Sequence, residues 1–463
     1  MTPVPVLDTQ FLRTALGDSL IDAIGPDATF ARAVIDSRRT QAGDLFVALP
    51  GEHVDGHDFA RAAIDGGATG ALLTHDVAGI ESATRMLVPD ALAGLQRLAV
   101  AWRDALVGTE VVGVTGNVGK STTKMIVAAV LASQYRVQVN EANYNNEIGV
   151  PLCLLELHPE TERAVIEMGM YTTGEIALLC TWTHPQIGIV LNVGPVHMER
   201  AGSLEAIARA KRELPESLTS EGHAILNIDD PLVRAMAEHT SGRVWFFGTS
   251  TDAHVRGSDV TSHGAAGFEC TIAFEEHSAR VHVPLAGGHL LSNVLAAVAA
   301  GLADGVPFEA CIAAIAALDV PQRISVRTLP GDVTLLDDTY NASPAATVAA
   351  LDLLAETPGR HLALLGDMLE LGEVSEAEHD RVGQHAATAC DALFTVGELA
   401  VRISDAAREA GLSASTHCDS KDAAVALLRA TLRPGDVLLV KASRALALET
   451  VVRALESGTG ATS

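Results

Sequence analysis

The chain is short of lysine, of paired cysteines, of positive charge and of long apolar runs, and each shortage removes a class of protein. No uninterrupted apolar stretch in the 463 residues reaches the roughly 18 needed to span a membrane, so no membrane partner is expected. The opening MTPVPVLDTQFLRTALGDSL has no basic segment followed by an apolar one, so no signal peptide is expected either. Six cysteines (Cys153, Cys180, Cys270, Cys311, Cys390, Cys418) lie far apart with no C-x-x-C pair. That spacing suits reduced thiols in a cytoplasmic chain, not a disulfide framework or a zinc site. Against 58 acidic residues stand only 32 basic ones, a formal charge of −26. Such a field repels phosphate backbones, so no nucleic-acid partner is expected, and any anionic ligand needs local backbone amides or a metal ion. Only five lysines (Lys120, Lys124, Lys211, Lys421, Lys441) remain beside 27 arginines. A retained lysine is then a candidate for work that needs a compact ammonium or a reactive amine.

What is present points to several packed cores. Hydrophobic residues make up 48% and charged residues 19%, and the length suits two to four domains. Short β-type runs (LFVAL, GALLT) and a helix-like FARAAIDGGA precede an amphipathic helix carrying Leu92, Leu95, Leu98 and Trp102. A small α/β domain over residues 1–107 follows. From EVVGV onward, strand candidates at 164–168 and 187–193 alternate with helical stretches, which predicts a mostly parallel sheet covered on both faces. Residues 243–285 read as short β-segments of a subsidiary sheet, and the helix in LLSNVLAAVAAGLADG closes a domain over 108–321. Apolar strands at 333–338, 361–367, 392–397 and 436–441, with helices between, make residues 322–463 a Rossmann-like domain lacking a G-x-G-x-x-G fingerprint. The expected class is α/β in three domains, the middle one of the P-loop ATPase type.

The strongest motif is Gly113-Val114-Thr115-Gly116-Asn117-Val118-Gly119-Lys120-Ser121-Thr122, between an apolar strand and a helix. Glycines let backbone amides curl toward phosphates, and a helix N-terminus adds a favourable dipole. Lys120 would neutralise β/γ oxygens of ATP and Ser121 would ligate Mg²⁺. Counted from Gly113, five residues rather than the usual four precede Gly119. Glu167, at the end of AVIE, has the placement of a strand-end carboxylate that holds Mg²⁺. On pattern alone His197 reads as a surface-loop histidine and Lys211 as a solvated helix lysine.

Taken together, GVTGNVGKSTTK, EMGM with Gly174-Glu175-Ile176, NVGPVHME and AKREL resemble the Mur ligases, which build the peptidoglycan precursor. The resemblance spans essentially the whole chain. It implies a UDP-sugar-binding domain, an ATP-binding domain and a C-terminal Rossmann-like domain, and in that family the longer phosphate loop is usual. It implies ATP with two Mg²⁺ ions, nucleotide contacts from Thr115 to Thr122 and at Asn293, Arg323 and Asp338, and a CO₂-derived carbamate on Lys211. That carbamate and His197 would hold the second ion beside the one at Ser121 and Glu167. The run Asn143-Tyr144-Asn145-Asn146, continuing to Gly149-Val150-Pro151-Leu152, looks like the member that adds D-alanyl-D-alanine to UDP-muramoyl-tripeptide. So do Asp338-Thr339-Tyr340-Asn341 and LGDMLELG, whereas the D-N-P-R signature of the diaminopimelate-adding relative is absent. Asn143, Asn145 and Asn146 could offer amides to the sugar-peptide, or simply form turns. Tyr340 and Asn341 are further substrate candidates. Asp36-Ser37-Arg38 resembles the uridine-nucleotide region, with a plain surface turn as the other reading. Ser343 and Pro344 read as N-cap and first helical residue. Lys441-Ala442-Ser443-Arg444 departs from the family's glycine-richer run. The implied reaction is an ATP-driven amide ligation through an acyl phosphate, by a monomer. A folylpolyglutamate synthase-like or partner-dependent ligase, or a catalytically silent binding protein, are the alternatives.

Overall fold

The computed structural model describes residues 4–51, 54–141, 144–194, 203–319 and 324–457. Three sheets follow one another along the chain. The first is built from β1 (Asp22–Ile24), β2 (Ala33–Val34), β3 (Leu45–Val47), β4 (Gly70–Leu73) and β5 (Thr84–Leu87) in the order β1-β5-β4-β3-β2. All neighbours are parallel except β1 and β5. Helix Ala91–Ala105 begins where Asp90 accepts a hydrogen bond from the Ala93 amide, and it buries Leu95, Leu98 and Trp102 along one stripe. That stripe joins a core shared with Leu152, Leu154 and Ile176 of the next unit. The Trp102 indole donates to the Leu157 carbonyl at 3.0 Å, so the first unit is anchored on the second.

The middle sheet has nine strands in the order β14-β13-β12-β11-β10-β9-β6-β8-β7. They are β6 (Glu110–Thr115), β7 (Val137–Val139), β8 (Arg163–Glu167), β9 (Ile187–Val190), β10 (His223–Asn227), β11 (Arg243–Gly248), β12 (Val255–Ser262), β13 (Phe268–Phe274) and β14 (His277–Val283). From β7 to β12 every pairing is parallel. The continuous apolar runs of β6, β8 and β9 suit strands covered on both faces. The expected subsidiary sheet is corrected: β12–β14 continue the main sheet through the pairs Phe247↔Val255 and Gly248↔Arg256. In β13 and β14 Phe268, Cys270, Val281 and Val283 are buried while alternate residues face outward, which in sequence reads like a separate two-sided sheet.

The third sheet has six strands, β15 (Ser325–Leu329), β16 (Val333–Asp338), β17 (Arg360–Gly366), β18 (Ala392–Val396), β19 (Ser415–Cys418) and β20 (Asp436–Lys441). The order is β15-β16-β20-β17-β18-β19, and only β15 runs antiparallel. The four expected strands are its centre. The edge strands SVRTL and STHC lack the apolar run that marks a doubly covered strand. Ser343 sits at the N-cap position before Pro344, although its hydroxyl makes no cap hydrogen bond. All six cysteines are buried and unpaired, and burial pushes the Cys153 thiol up to about 12. No helix among the described residues is long and apolar enough to cross a membrane.

Candidate active site

The C-terminal ends of β6, β8 and β9 converge at the glycine loop, the edge at which parallel α/β sheets hold ligands. Gly113 is not part of that loop. It lies inside β6 opposite Gly188 of β9, and a Cβ on Gly113 would come within 2.9 Å of Leu214 Cδ1. The two glycines leave a trough that Leu214 fills, which seats helix Leu204–Glu216 on the sheet. The loop proper is Gly116–Gly119. Gly119 adopts φ +86°, and a Cβ there would sit 2.4 Å from Asn293 Nδ2, so glycine is required twice over. Helix Lys120–Leu131 starts at this turn. The Lys120 ammonium bends back to donate to the carbonyls of Gly116 (2.8 Å) and Asn117 (3.3 Å).

Around the loop the expected nucleotide residues are tied to one another. Thr115 Oγ1 donates to the Met168 carbonyl at 2.9 Å. Asn192, which the sequence did not single out, accepts from the Asn117 and Val118 amides at 2.9 and 3.0 Å. Asn117 and Gly194 exchange a reciprocal pair at 2.8 and 2.9 Å, latching the loop to the segment after β9. Asn293 donates to the Gly119 carbonyl (3.1 Å) and Thr123 Oγ1 (2.8 Å), so its amide braces the helix start. Thr122 is buried in that first turn.

Glu167, only 2% exposed, ends β8 beside this helix. Ser121 Oγ donates to one carboxylate oxygen at 2.7 Å and Asn145 Nδ2 to the other at 2.8 Å. The Glu167 amide donates to Asn140 Oδ1 at 3.0 Å. The buried Lys124 ammonium in turn donates to the Asn140 carbonyl at 2.5 Å. Burial pulls the Lys124 pKa down, with Glu167 opposing. Asn145 therefore faces the carboxylate. Asn146 instead accepts from the Gly149 amide at 2.9 Å and starts helix Gly149–Leu155. Asn143 lies outside the described residues.

Ser203 opens the helix of Lys211 by accepting from the Ala206 amide at 3.2 Å. Lys211 is 3% exposed, not solvated, and burial followed by repulsion from Lys120 drives its pKa well below the ordinary lysine value. Two residues on, Glu213 accepts from the amides of Gly174 (2.6 Å) and Ala177 (2.9 Å), fixing the start of helix Glu175–Thr183. His197 and Arg323 lie outside the described residues.

Two flanking regions complete the picture. In the first unit the Arg38 guanidinium grips Asp36 at 2.8 and 2.7 Å and holds that carboxyl at about 2, with Ser37 in the same short 3-10 turn. The neighbouring Arg39, not foreseen, donates to Tyr144 Oη (2.8 Å) and Glu141 (2.6 Å), joining this turn to the asparagine loop. In the third unit Asp338 and Lys441, register partners on β16 and β20, form a buried ion pair at 2.5 Å. Lys441 also donates to the Asn341 carbonyl at 2.8 Å, and the exposed Tyr340 ring lies 5.9 Å from the Arg444 guanidinium carbon. His289, just ahead of the helix bearing Asn293, has its pKa lowered by burial and feels both Asp338 and Lys441.

A strand, glycine loop and helix with lysine at its start, a buried carboxylate bonded to the loop serine, and flanking α/β units on either side define a P-loop nucleotide-using enzyme of three units. The chain belongs to the Mur ligase family. Its residues 31–102 match the model described as Mur ligase family, catalytic domain; 114–301 match the Mur ligase middle domain; 322–444 match the Mur ligase, glutamate ligase domain. It is 39% identical over 450 residues, 96% of each chain, to the UDP-N-acetylmuramoyl-tripeptide–D-alanyl-D-alanine ligase of Synechocystis. The Escherichia coli protein of that name is 38% identical, with 94% of this chain and 96% of that one covered. A crystal structure of MurF from Acinetobacter baumannii superposes with TM-score 0.86 at 27% identity, covering 98% of this chain and all of that one. MurF from Thermotoga maritima in complex with ADP gives 0.77 at 30% identity, covering 92% and 97%. A folylpolyglutamate synthase from Mycobacterium tuberculosis, at 15% identity, TM-score 0.62 and coverage of 78% and 94%, shares the fold alone.

Proposed function

We propose that the chain is an ATP-dependent amide ligase that joins D-alanyl-D-alanine to UDP-N-acetylmuramoyl-tripeptide, giving the pentapeptide precursor of peptidoglycan. Near-full-length identity of 38–39% to relatives bearing that name carries the reading. The hydroxyl of Ser121 and the carboxylate of Glu167, 2.7 Å apart, are hard oxygen donors that fit Mg²⁺. When bound, Mg²⁺ supplies positive charge to phosphoryl oxygens. We take the units as residues 1–107, 108–321 and 322–463, working as a monomer.

The reaction meets an electrostatic problem, because the tripeptide carboxylate and the γ-phosphate are both anionic. A carboxylate oxygen bonds to the γ-phosphorus as its bond to ADP breaks, leaving an acyl phosphate. The D-alanyl-D-alanine amine then bonds to the acyl carbon and sheds a proton, and the C–O bond to phosphate breaks. Lys120 exchanges its loop carbonyls for the β/γ oxygens of ATP. Asn145 and Asn140 hold Glu167 in place. Thr115, Gly116, Asn117, Val118, Gly119 and Thr122 shape the nucleotide cradle, with Asn293 bracing it and Arg323 and Asp338 closing from the third unit. Asp36, Ser37 and Arg38 receive the uridine nucleotide, and Asn143, Asn146, Tyr340 and Asn341 line the peptide path. Closure excludes water, which otherwise hydrolyses the acyl phosphate.

For Lys211 we propose a carbamate: the neutral amine bonds to CO₂ and loses a proton, leaving an anion that with His197 suits a second Mg²⁺. Burial, then repulsion from Lys120, lowers the Lys211 pKa and so favours the neutral amine this step needs. Lys211→Arg should be nearly inactive, and small carboxylates should partly rescue Lys211→Ala. Full activity of Lys211→Arg in CO₂-depleted buffer rejects the carbamate. The ligase reading itself is tested by mass spectrometry of products from UDP-muramoyl-tripeptide, ATP and D-alanyl-D-alanine. Absence of the pentapeptide overturns it.

A further inference from the structure

Far along the middle sheet, the solvent face of β12–β14 gathers two imidazoles and a carboxylate that the ligase chemistry does not use. Glu269 of β13 is the direct cross-strand partner of both Thr261 on β12 and His282 on β14. Cross-strand partners share a face, and the ring of His263, just past the end of β12, lies on the same side, 6.1 Å from the His282 ring. One ligand atom from each of His263, Glu269 and His282 lies within 4.8 Å of the others. Both histidines are exposed, while the opposite face carries the buried Phe268, Cys270, Val281 and Val283.

The backbone under the cluster is fixed. The His263 amide donates to the Gly267 carbonyl at 2.8 Å, closing the turn between β12 and β13. Arg280 grips one Glu269 oxygen at 3.0 and 3.3 Å and is itself held by the Asp259 carbonyl (2.9 Å) and Thr261 Oγ1 (3.2 Å). This orients the carboxylate and leaves its second oxygen for an ion, as outer partners do at metal sites.

We propose that His263, Glu269 and His282 form an accessory transition-metal site, for Zn²⁺ or a dication of similar softness, distinct from the Mg²⁺ site. Two imidazoles with one carboxylate select such an ion over Mg²⁺. Tetrahedral zinc holds its ligand atoms about 3.4 Å apart, so rotation of two exposed imidazoles closes the set and water supplies the fourth ligand. The ion would cross-link the end of β12 to β13 and β14. It would do so one residue from Ser262, whose hydroxyl donates to Glu356 of the third unit at 2.5 Å. It therefore stiffens the middle-unit side of a contact between units.

The test is a zinc titration by calorimetry of the full chain in saturating Mg²⁺, comparing wild type with His263→Ala, His282→Ala and Glu269→Gln. It is independent of ligase activity. Wild type should bind one zinc more than either histidine variant, or bind it more tightly by at least the roughly 10- to 100-fold that outer-shell changes alone cost. Matched melting temperatures without zinc show that the variants are folded. As a second readout, Co²⁺ should give wild type the visible absorption of a tetrahedral nitrogen–oxygen site, lost in His282→Ala. Equal zinc stoichiometry and affinity in all four proteins, or a cobalt spectrum unchanged by His282→Ala, overturns the proposal.

Discussion

Replacing Asn145 with alanine separates two roles that the sequence could not. If the asparagine contacts the sugar-peptide, the variant loses substrate affinity; if it orients Glu167, the variant loses its response to Mg²⁺. The geometry favours the second, since Asn145 Nδ2 lies 2.8 Å from Glu167 Oε1 and Ser121 takes the other oxygen. Glu167 is 2% exposed, so water replaces the lost donor poorly. A hydrogen bond to a charged group contributes about 1.5–3 kcal/mol. At about 1.4 kcal/mol per decade, that is roughly a 10- to 150-fold loss in kcat/KM or in apparent Mg²⁺ affinity. Initial rates across a Mg²⁺ titration at saturating ATP, with the tripeptide KM measured in parallel, read both quantities. Asn146→Ala serves as the control. Among the described residues its oxygen accepts from the amides that start helix Gly149–Leu155, so the variant should cost about 1 kcal/mol of stability and leave the Mg²⁺ response unchanged, whatever it does to the tripeptide KM. A raised tripeptide KM with a wild-type Mg²⁺ curve in Asn145→Ala would refute the orienting role.

Gly113→Ala should destabilise by about 1–3 kcal/mol through overpacking, because its Cβ meets Leu214 Cδ1 at 2.9 Å and Met168 Cε at 3.2 Å. Denaturant melts check this, Leu214→Ala should partly relieve it, and an unshifted midpoint would count against the trough. Asp367→Ala should also destabilise, by about 1–3 kcal/mol, since its buried carboxylate accepts from the amides of Glu398, Leu399 and Ala400 at 3.1, 3.0 and 2.7 Å. Turnover per folded molecule should stay near wild type; a large loss at unchanged stability would make Asp367 a reacting group. For Lys211 the folded pKa is depressed, so between it and the ordinary lysine value the unfolded chain binds more protons and stability rises with pH. Lys211→Met should flatten that slope in CO₂-free buffer, and identical slopes would sink the account.

Most of the site was legible because its chemistry is carried by local pattern. A β-branched strand, two glycines and a lysine–serine pair fix the loop within ten residues, and Glu167 ends the next buried strand. The role of Gly113 was not legible. Its partner Gly188 and the filler Leu214 are 75 and 101 residues away, so only the register of β6 and β9 shows why a glycine stands there. For Lys211 the local pattern and the family resemblance pointed apart, and its burial goes with the resemblance. ARAKREL has helical periodicity that suits a solvated face, yet Lys211 lies on the buried side of the helix that Leu214 seats on the sheet. Lys124 and Asn192 stand in quoted motifs without a role of their own, and Arg39 gave no signal, since each acts through partners that the fold alone brings near. The C-terminal strands were legible at the sheet centre, where both faces are covered. They were missed at β15 and β19, where the edge relaxes the apolar pattern.

In the proposed reaction Lys120 and Lys211 divide the work that a strongly acidic chain must do locally. Two ammonium groups close together in a site screened from water repel, and the repulsion falls if one gives up its proton. Lys120 is half-buried and has two loop carbonyls, from Gly116 and Asn117, to receive its N–H groups, which stabilise its charge. Lys211 is 3% exposed, and burial, then the Lys120 charge, push it toward the neutral amine. In the proposed reaction Lys120 keeps the cationic role, its N–H groups turning from the Gly116 and Asn117 carbonyls to phosphate oxygens. Lys211, pushed toward the neutral amine, is the lysine suited to the proposed reaction with CO₂, which would turn a second repulsive cation into an anion able to hold Mg²⁺.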